Sequence, residues 1–327
     1  MSSRTAHDSL KTVALFGATG MLGSAILAAL LEPSIGKYKP NVVAFMHPGK
    51  SLEESLLARH PQLRMVECDY PKGGPEMVDH LRGVDAVVSV LNGPGVAAQY
   101  IILDAAIDAG VKRFYPSEYG FHHAYRAPGD PGARIAPLWD EKERFAIHLK
   151  LHPAVETGKI EYIHSLEPKP EPFWCPWAQD CETYQVPIVG DGDTVADWSC
   201  TNDIARYVVA TLSKPHLSAN VYLNFPSETI SQNAMVELFR KYAKGRKVDV
   251  RSFSLDDAHR SVANPDAAPK EIGEQSAIPV NFYFIVKSIQ GSGTFRRPRW
   301  ECHWNLFPEV RRSTFEDYVK ERFGPLS

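Results

Sequence analysis

The residues with the clearest chemical meaning in this 327-residue chain are three glycines, Gly17, Gly20 and Gly23. They separate an apolar, β-branched run at 12–16, which predicts a buried parallel strand, from a run at 24–31 that predicts a helix. Glycines in such a unit allow a tight turn, close approach of the backbone to a pyrophosphate, and close packing of helix on strand. The anion would lie at the helix N-terminus, where unpaired N–H groups stabilise it. Although an ordinary glycine-rich turn is the alternative, the flanking elements favour a dinucleotide site formed by Gly17, Thr19, Gly20, Met21, Leu22 and Gly23.

The end of the second predicted strand, residues 41–46, favours NADP over NAD. Proteins that bind NAD usually place Asp or Glu at this position, where the carboxylate binds the ribose hydroxyls. Here His47 and Lys50 follow the strand, and cations suit a 2′-phosphate. The alternative is that both are merely solvated loop residues. Asp69, at the end of the strand predicted at 63–69, is expected near the adenine.

Repeated strands and helices predict the architecture of the first half of the chain. Further apolar strands are expected at 85–90 and 112–115, so we predict an α/β fold with a Rossmann-type doubly wound parallel sheet. A smaller C-terminal α/β lobe would bind the substrate. The expected domains are 1–165 and 166–327, with segments near 185–225 returning to the sheet. Ligands bind at the carboxyl ends of such strands, so the residues expected beside the cofactor there are Leu91, Asn92, Gly93 and Ser117.

Residues 111–120 read V-K-R-F-Y-P-S-E-Y-G. This stretch closely resembles the V-K-R-F-x-P-S-E-F-G signature of the isoflavone reductase-like, or NmrA-like, branch of atypical short-chain dehydrogenases/reductases. The similarity continues to residue 162 and thins after 165, and residues 138–153 look most like fungal members of natural-product pathways. The resemblance implies NADPH-dependent reduction of planar, conjugated substrates at an enone, quinone methide or benzylic carbon.

The same resemblance suggests where a proton donor should lie. In the plant reductases of this family a lysine on the helix after the signature strand is the catalytic acid/base, and alignment without a gap places it at His148. An imidazole can exchange protons at neutral pH, but a packed or solvent-facing histidine is the alternative. Lys142, on another part of the helical wheel, is expected to be a less suitable substitute. Glu118 and Tyr119 complete the candidate catalytic set: Glu118 either anchors a cationic amine or caps the loop, and Tyr119 lines the nicotinamide pocket.

Two further patterns concern the second half of the chain. Residues 166–184 are rich in proline and aromatic residues and predict a loop or lid, with a hydrophobic loop packed on the core as the alternative. Aromatic faces suit a planar or cationic heteroaromatic substrate, and the candidate substrate-binding residues are Phe121, Phe173, Trp174 and Trp177. A Y-x-x-x-K pattern, Tyr283 to Lys287, is interpreted as coincidental because it comes too late in the chain to lie beside the nicotinamide.

Composition excludes several classes of function. The formal net charge is -3 and 44% of residues are hydrophobic, so the chain lacks the basic character of nucleic-acid binders and can form a large core. The five cysteines are scattered, and no apolar run reaches the roughly 18 residues that span a bilayer. No metal-ligand spacing is present. We therefore expect a cytoplasmic monomer or homodimer whose partner is a small molecule, with neither nucleic acid nor membrane involved.

The sequence thus favours an NADPH-dependent reductase of fungal secondary metabolism. It would transfer hydride to a C=C or C=N bond, in an enone or iminium, of a planar polycyclic or indole-alkaloid-like substrate. A cyclisation or cycloaddition could follow, directed by a pocket that restrains the product. The alternatives are a non-catalytic NmrA-like regulator that senses NADP(H) and a redox-neutral cyclase or isomerase.

Overall fold

A computed structural model describes residues 9–120, 137–165, 182–243, 245–275 and 278–323. Phe121, Phe173, Trp174 and Trp177 lie outside the described residues. The strands are β1 (Thr12–Phe16), β2 (Asn41–Met46), β3 (Leu63–Glu67), β4 (Ala86–Ser89), β5 (Arg113–Tyr115), β6 (Glu161–Ser165), β7 (Thr183–Val189), β8 (Val195–Trp198), β9 (Val221–Leu223), β10 (Glu228–Ser231) and β11 (Lys247–Phe253). The α-helices are α1 (Met21–Leu31), α2 (Glu54–Arg59), α3 (Pro75–Leu81), α4 (Ala98–Ala109), α5 (Pro137–Lys150), α6 (Pro153–Glu156), α7 (Thr201–Ser213), α8 (Gln232–Tyr242), α9 (Leu255–Ala263), α10 (Lys270–Gln275), α11 (Val280–Gly291) and α12 (Phe315–Phe323).

Seven parallel strands form the main sheet, in the order β3-β2-β1-β4-β5-β6-β9. The order reverses between β1 and β4, which is the switch point where open α/β sheets bind ligands. Helices cover both faces of the sheet. The predicted Rossmann-type doubly wound sheet is confirmed.

Alternating side chains of β1 show how the two faces of the sheet are filled. Val13 and Leu15 pack with the buried faces of α1 and α7. Ala14 and Phe16 pack on the opposite face with α3, α4 and α5. Because both faces are covered, the strands are apolar at successive positions rather than alternating. This division places α5 on the opposite side of the sheet from α1 and α7.

The second half of the chain contributes to both parts of the molecule. Helix α7 packs on α1, and β9 extends the main sheet beside β6. The smaller lobe holds the parallel pair β7 and β11, the antiparallel pair β8 and β10, and helices α8 to α12. The buried carboxylate of Asp203, in the first turn of α7, accepts hydrogen bonds from the Ser227 hydroxyl and the Ser313 backbone at 2.6 and 2.7 Å. These bonds attach the lobe to the sheet.

Two local features differ from the sequence-based prediction. Strand β3 ends at Glu67, because the ladder to β2 closes at the bond from the Cys68 N–H to the Met46 carbonyl. Asp69 therefore lies in the loop that follows rather than in the strand. The residue types at 198–205 predict a helix with Thr201 or Asn202 as its N-cap, whereas helix α7 has Cys200 at its N-cap. Cys200 is extended and donates its backbone N–H to Ser227, which places the helix start at Thr201.

No helix in the described parts of the chain is long and apolar enough to cross a membrane. Within the same residues, His, Cys, Asp and Glu side chains form no group of three or more that could hold a metal ion.

Candidate functional site

The glycine turn after β1 is packed so closely that side chains are excluded at two positions. Gly17 has a φ of +88°, and a Cβ there would lie 2.8 Å from the carbonyl oxygen of Val90, beyond β4. A Cβ on Gly23 would lie 2.0 Å from the Gly17 carbonyl oxygen. Helix α1 begins at Met21 with no acidic residue in its first turn and no side-chain cap. The turn thus leaves the N-terminal N–H groups of α1 available to an anion.

The carboxyl ends of β2 and β3 bring together polar and aromatic side chains. His47 Nε2 lies 3.9 Å from Asp69 Oδ1, and Lys72 pairs with the same carboxylate at 2.5 Å. The Tyr70 ring meets the rings of both His47 and Phe16 edge-on, at 5.8 and 5.7 Å between centroids. Lys50 follows His47 in an exposed turn. Cationic and aromatic groups therefore lie at the end of the sheet where the second half of a dinucleotide would extend.

Ser117 joins the ends of β4 and β5. Its hydroxyl donates to the carbonyl of Leu91 at 2.6 Å, and its N–H donates to the Gln99 side chain at 2.7 Å. Ser117 is buried, whereas Asn92 and Gly93, which follow Leu91, are exposed. The structure thus makes Ser117 a residue that fixes this edge, while the neighbouring backbone remains accessible.

Lys142, on α5, reaches the loop after β5. It is only 3% exposed, and its Nζ donates to the Tyr119 carbonyl oxygen at 3.0 Å. It shares the inward face of α5 with Phe145 and Leu149, which pack in the core. The amino group of a buried lysine is therefore held beside the predicted nicotinamide pocket.

His148 occupies a different face of the same helix. Six residues place it about 120° around the helix from Lys142. It is exposed, and its ring contacts those of Tyr100 and His152, with centroids 4.9 and 5.6 Å apart. The structure brings Lys142, rather than His148, to the loop that carries Glu118 and Tyr119.

Glu118 lies in a polar cluster that the sequence did not reveal. It is fully buried. Burial is the main cause that raises the pKa of Tyr222 to about 12, and the negative charge of Glu118 is the second. The ring of His164, which is also fully buried, stacks on Tyr222 with centroids 4.4 Å apart. A signal was available for His164, because a histidine near the carboxyl end of a buried parallel strand lies where ligands bind.

Tyr283 and Lys287 are both buried on α11, within the smaller lobe. Burial lowers the pKa of Lys287 to about 7. The unfolded chain therefore binds more protons than the folded chain between pH 7 and the ordinary lysine pKa, so this residue makes the unfolding free energy rise with pH.

Lys287→Met is expected to remove that dependence. At pH 7 the variant should gain about 4 kcal/mol of unfolding free energy, because the unfolded state no longer gains a favourable proton. The gain should shrink as the pH approaches 10.5. Urea unfolding at several pH values measures it, with the exposed Lys270→Met as the matched control. Parallel pH profiles for wild type and the Lys287 variant would contradict the prediction.

Comparison with known proteins shows which family and which proteins this chain is similar to. The NmrA-like family matches residues 9–278. The isoflavone reductase homolog IRL of Zea mays is 25% identical over 323 residues, covering 94% of this chain and 96% of that protein. Pinoresinol reductase 1 of Arabidopsis thaliana is also 25% identical, with the same coverage. Among solved structures, AtPrR2 with NADP+ and (+)-pinoresinol superposes with a TM-score of 0.73 at 20% identity, covering 97% of this chain and 100% of that one. The leucoanthocyanidin reductase–NADPH complex from Vitis vinifera also has a TM-score of 0.73 at 20% identity, with 95% and 99% covered.

Proposed function

The chain belongs to the NmrA-like family, and from that premise we propose that it is an NADPH-dependent reductase of a small, planar, conjugated substrate. The observation that carries the proposal is the buried ammonium of Lys142, 3.0 Å from the Tyr119 carbonyl oxygen at the carboxyl edge of the sheet. Several similar proteins are named as reductases, among them pinoresinol reductase 1 of Arabidopsis thaliana. An oxidoreductase fits both the fold and this site.

The glycine turn fits the cofactor. The space that a Cβ on Gly17 or Gly23 would fill is occupied by backbone, so the turn can present N–H groups at the start of α1. Thr19, Gly20, Met21 and Leu22 would hold the pyrophosphate together with these glycines. The exposed Asn92 and Gly93, next to the buried Leu91, would face the nicotinamide half. Asp69 would lie towards the adenine. NADPH supplies a hydride when bound.

Lys142 would supply the proton that a reduced carbon or nitrogen requires. The hydrogen bond from Lys142 Nζ to the Tyr119 carbonyl would orient the amino group. The carboxyl group of the buried Glu118, the residue before Tyr119, would add a negative charge in the same loop. Because a proton donor acts within hydrogen-bonding reach of the acceptor, buried Lys142 is better placed than the exposed His148. If Lys142 is the proton donor, the lack of a lysine at position 148 is no argument for a non-catalytic sensor.

The substrate class follows from the sequence. Phe121, Phe173, Trp174 and Trp177 would provide flat apolar surfaces, which suit a planar polycyclic or indole-alkaloid-like molecule with a reducible C=C or C=N bond. A pocket of this kind would also restrain a reactive product for a subsequent cyclisation.

Single-turnover oxidation of bound NADPH, followed by absorbance, tests the proposal. The enzyme is mixed with a panel of conjugated enones and cyclic iminium ions, and a reductase oxidises NADPH with at least one of them. Tight NADPH binding without oxidation by any member would overturn the reductase and favour a sensor or a redox-neutral enzyme.

The preference for NADPH over NADH gives a separate prediction. Lys50→Ala combined with His47→Ala is expected to weaken NADPH binding about tenfold or more, because a cation and a hydrogen-bonding imidazole near the 2′-phosphate are lost. NADH binding should change by less than about twofold. Fluorescence titration of both cofactors measures the change. Lys37→Ala, in the loop before β2, is the exposed control. Equal weakening for the two cofactors would remove these residues from 2′-phosphate recognition.

A further inference from the structure

The segment between α11 and α12 concentrates positive charge. Residues 296–312 contain five arginines and two glutamates, although the chain as a whole has a net charge of -3. Four of these arginines are exposed: Arg296, Arg299, Arg311 and Arg312. Within the described parts of the chain none of the four pairs with a carboxylate, and the Glu309 carboxylate is taken by Lys214 at 2.6 Å. The four guanidinium groups therefore remain available to a negatively charged partner.

The ring of Trp304 holds two of these groups. The guanidinium carbon of Arg312 lies 4.2 Å from the ring centroid, and that of Arg299 lies 5.7 Å from it. A guanidinium group is attracted to an indole face, so the ring limits where both groups can lie. Trp304 is fixed in turn, because its Nε1 donates to the Pro226 carbonyl at 2.7 Å and its ring packs beside the core. Two arginines that are distant in the sequence therefore lie around one anchored ring.

Trp300 projects from the same segment. At 79% it is the most exposed of the large hydrophobic side chains in the described residues. It follows Arg299 in a single turn of 3-10 helix, Arg299–Glu301. Tryptophan and arginine are among the side chains most enriched where proteins bind partners. We call Arg299, Trp300, Trp304 and Arg312 the arginine–tryptophan surface.

The shape of this surface favours a lipid layer over an acidic protein segment. A bound segment needs a recess for its side chains, yet the Trp304 ring is occupied by two guanidinium groups and Trp300 projects into solvent. A layer of lipid headgroups has no fixed shape and can take in a projecting ring. Tryptophan is enriched at that boundary, where its ring is in apolar surroundings and its N–H stays in contact with water. Anionic headgroups also attract each arginine that lies near them.

We propose that the arginine–tryptophan surface is a peripheral binding site for a membrane that contains anionic lipids. Trp300 would enter the headgroup layer, and Arg299 and Arg312 would lie at the level of its phosphate and carboxylate groups, with Arg296 and Arg311 adding to the attraction. The sequence-based expectation of no membrane concerned net charge and membrane-spanning runs. Peripheral contact requires neither a basic protein nor a membrane-spanning helix. The site does not depend on the chain being a reductase.

The test is co-sedimentation of the full chain with vesicles of phosphatidylcholine alone and with vesicles of equal parts phosphatidylcholine and phosphatidylserine. We expect the anionic vesicles to bind about a hundredfold more tightly or better, and the difference to shrink as salt is added, because the attraction is electrostatic. Trp300→Ala should weaken binding about tenfold or more, and so should Arg299→Gln combined with Arg312→Gln. Replacing the same two arginines by lysine should preserve most of the binding, since anionic headgroups attract either cation.

Two matched controls remove similar groups elsewhere. Arg59→Gln combined with Arg64→Gln removes the same charge from exposed positions on α2 and β3. Leu151→Ala removes another apolar side chain, which is 72% exposed. Both controls should bind anionic vesicles like the wild type, and every variant should keep the thermal unfolding temperature of the wild type.

Equal binding of the wild type to both kinds of vesicle, or no binding to either, would overturn the proposal. Binding that survives both Trp300→Ala and the paired glutamine variant would place the contact elsewhere on the protein. Equal weakening by the Arg59 and Arg64 pair would reduce it to an effect of net charge. Soluble polyglutamate that binds the wild type more tightly than the anionic vesicles do would make the surface a site for an acidic protein segment and overturn the lipid assignment.

Discussion

Replacing Lys142 by methionine is expected to lower the rate of hydride transfer about a hundred- to ten-thousand-fold, the usual contribution of a positioned acid. The ammonium is buried and directed at the Tyr119 carbonyl at the edge of the sheet, so no solvent cation can take its place. NADPH affinity should be nearly unchanged, because the glycine turn lies on another segment of the chain. Stopped-flow absorbance of NADPH gives the rate, and fluorescence titration gives the affinity.

His148→Gln is the matched control on the same helix. Since His148 is exposed and its ring packs beside Tyr100, the control should keep the rate within about threefold. The pH dependence of the rate distinguishes a proton donor from a structural lysine: the wild-type rate should fall as one group loses its proton, and Lys142→Met should lack that titration. A rate that collapses in His148→Gln and survives in Lys142→Met would reverse the assignment.

Replacing Gly23 by alanine is expected to abolish NADPH binding and to reduce the unfolding free energy by more than about 3 kcal/mol. A methyl group there would lie 2.0 Å from the Gly17 carbonyl oxygen, which is a backbone atom and cannot rotate away. Helix α1 would have to move off β1, which removes N–H groups from the anion site. Calorimetric titration with NADPH and urea unfolding measure both effects.

The Gly20→Ala variant distinguishes the packing of α1 on the glycine turn from the approach of NADPH to that turn. A Cβ on Gly20 would lie 3.4 Å from the Gly17 carbonyl oxygen, and its φ is −73°, which alanine adopts freely. The unfolding free energy should therefore change by less than about 1 kcal/mol, while NADPH binding weakens because the methyl group occupies the pyrophosphate side of the turn. A Gly23 variant as stable as the Gly20 variant would contradict the packing argument.

Much of the fold could be predicted from the sequence because its elements are short, apolar and bounded by clear breaks. The runs at 12–16 and 41–46 match β1 and β2. Buried parallel strands need apolar residues on both faces, and this requirement is visible in a local window. The glycine turn could also be recognised from a short stretch of sequence, because Gly17 and Gly23 are six residues apart and their roles follow from backbone geometry.

Several features of the site depended on contacts that no local pattern records. Alignment with the family pattern without a gap predicts a proton donor at His148. Which side chain faces the loop after β5, however, depends on how α5 is rotated against the core. Phe145 and Leu149 set that rotation by packing inward, and Lys142 goes with them. Likewise, the approach of His164 and Tyr222 to Glu118 requires β6 and β9 to pair across about 58 intervening residues.

The sequence by itself determined the parallel sheet, the dinucleotide turn and the family, because each is encoded by residue types within a few positions of one another. Only the tertiary structure decided which face of α5 points inward and that a cavity forms where the first turns of α1 meet the smaller lobe. Both are set by packing between segments distant in the chain, where burial of apolar side chains fixes the orientation of every polar group carried with them.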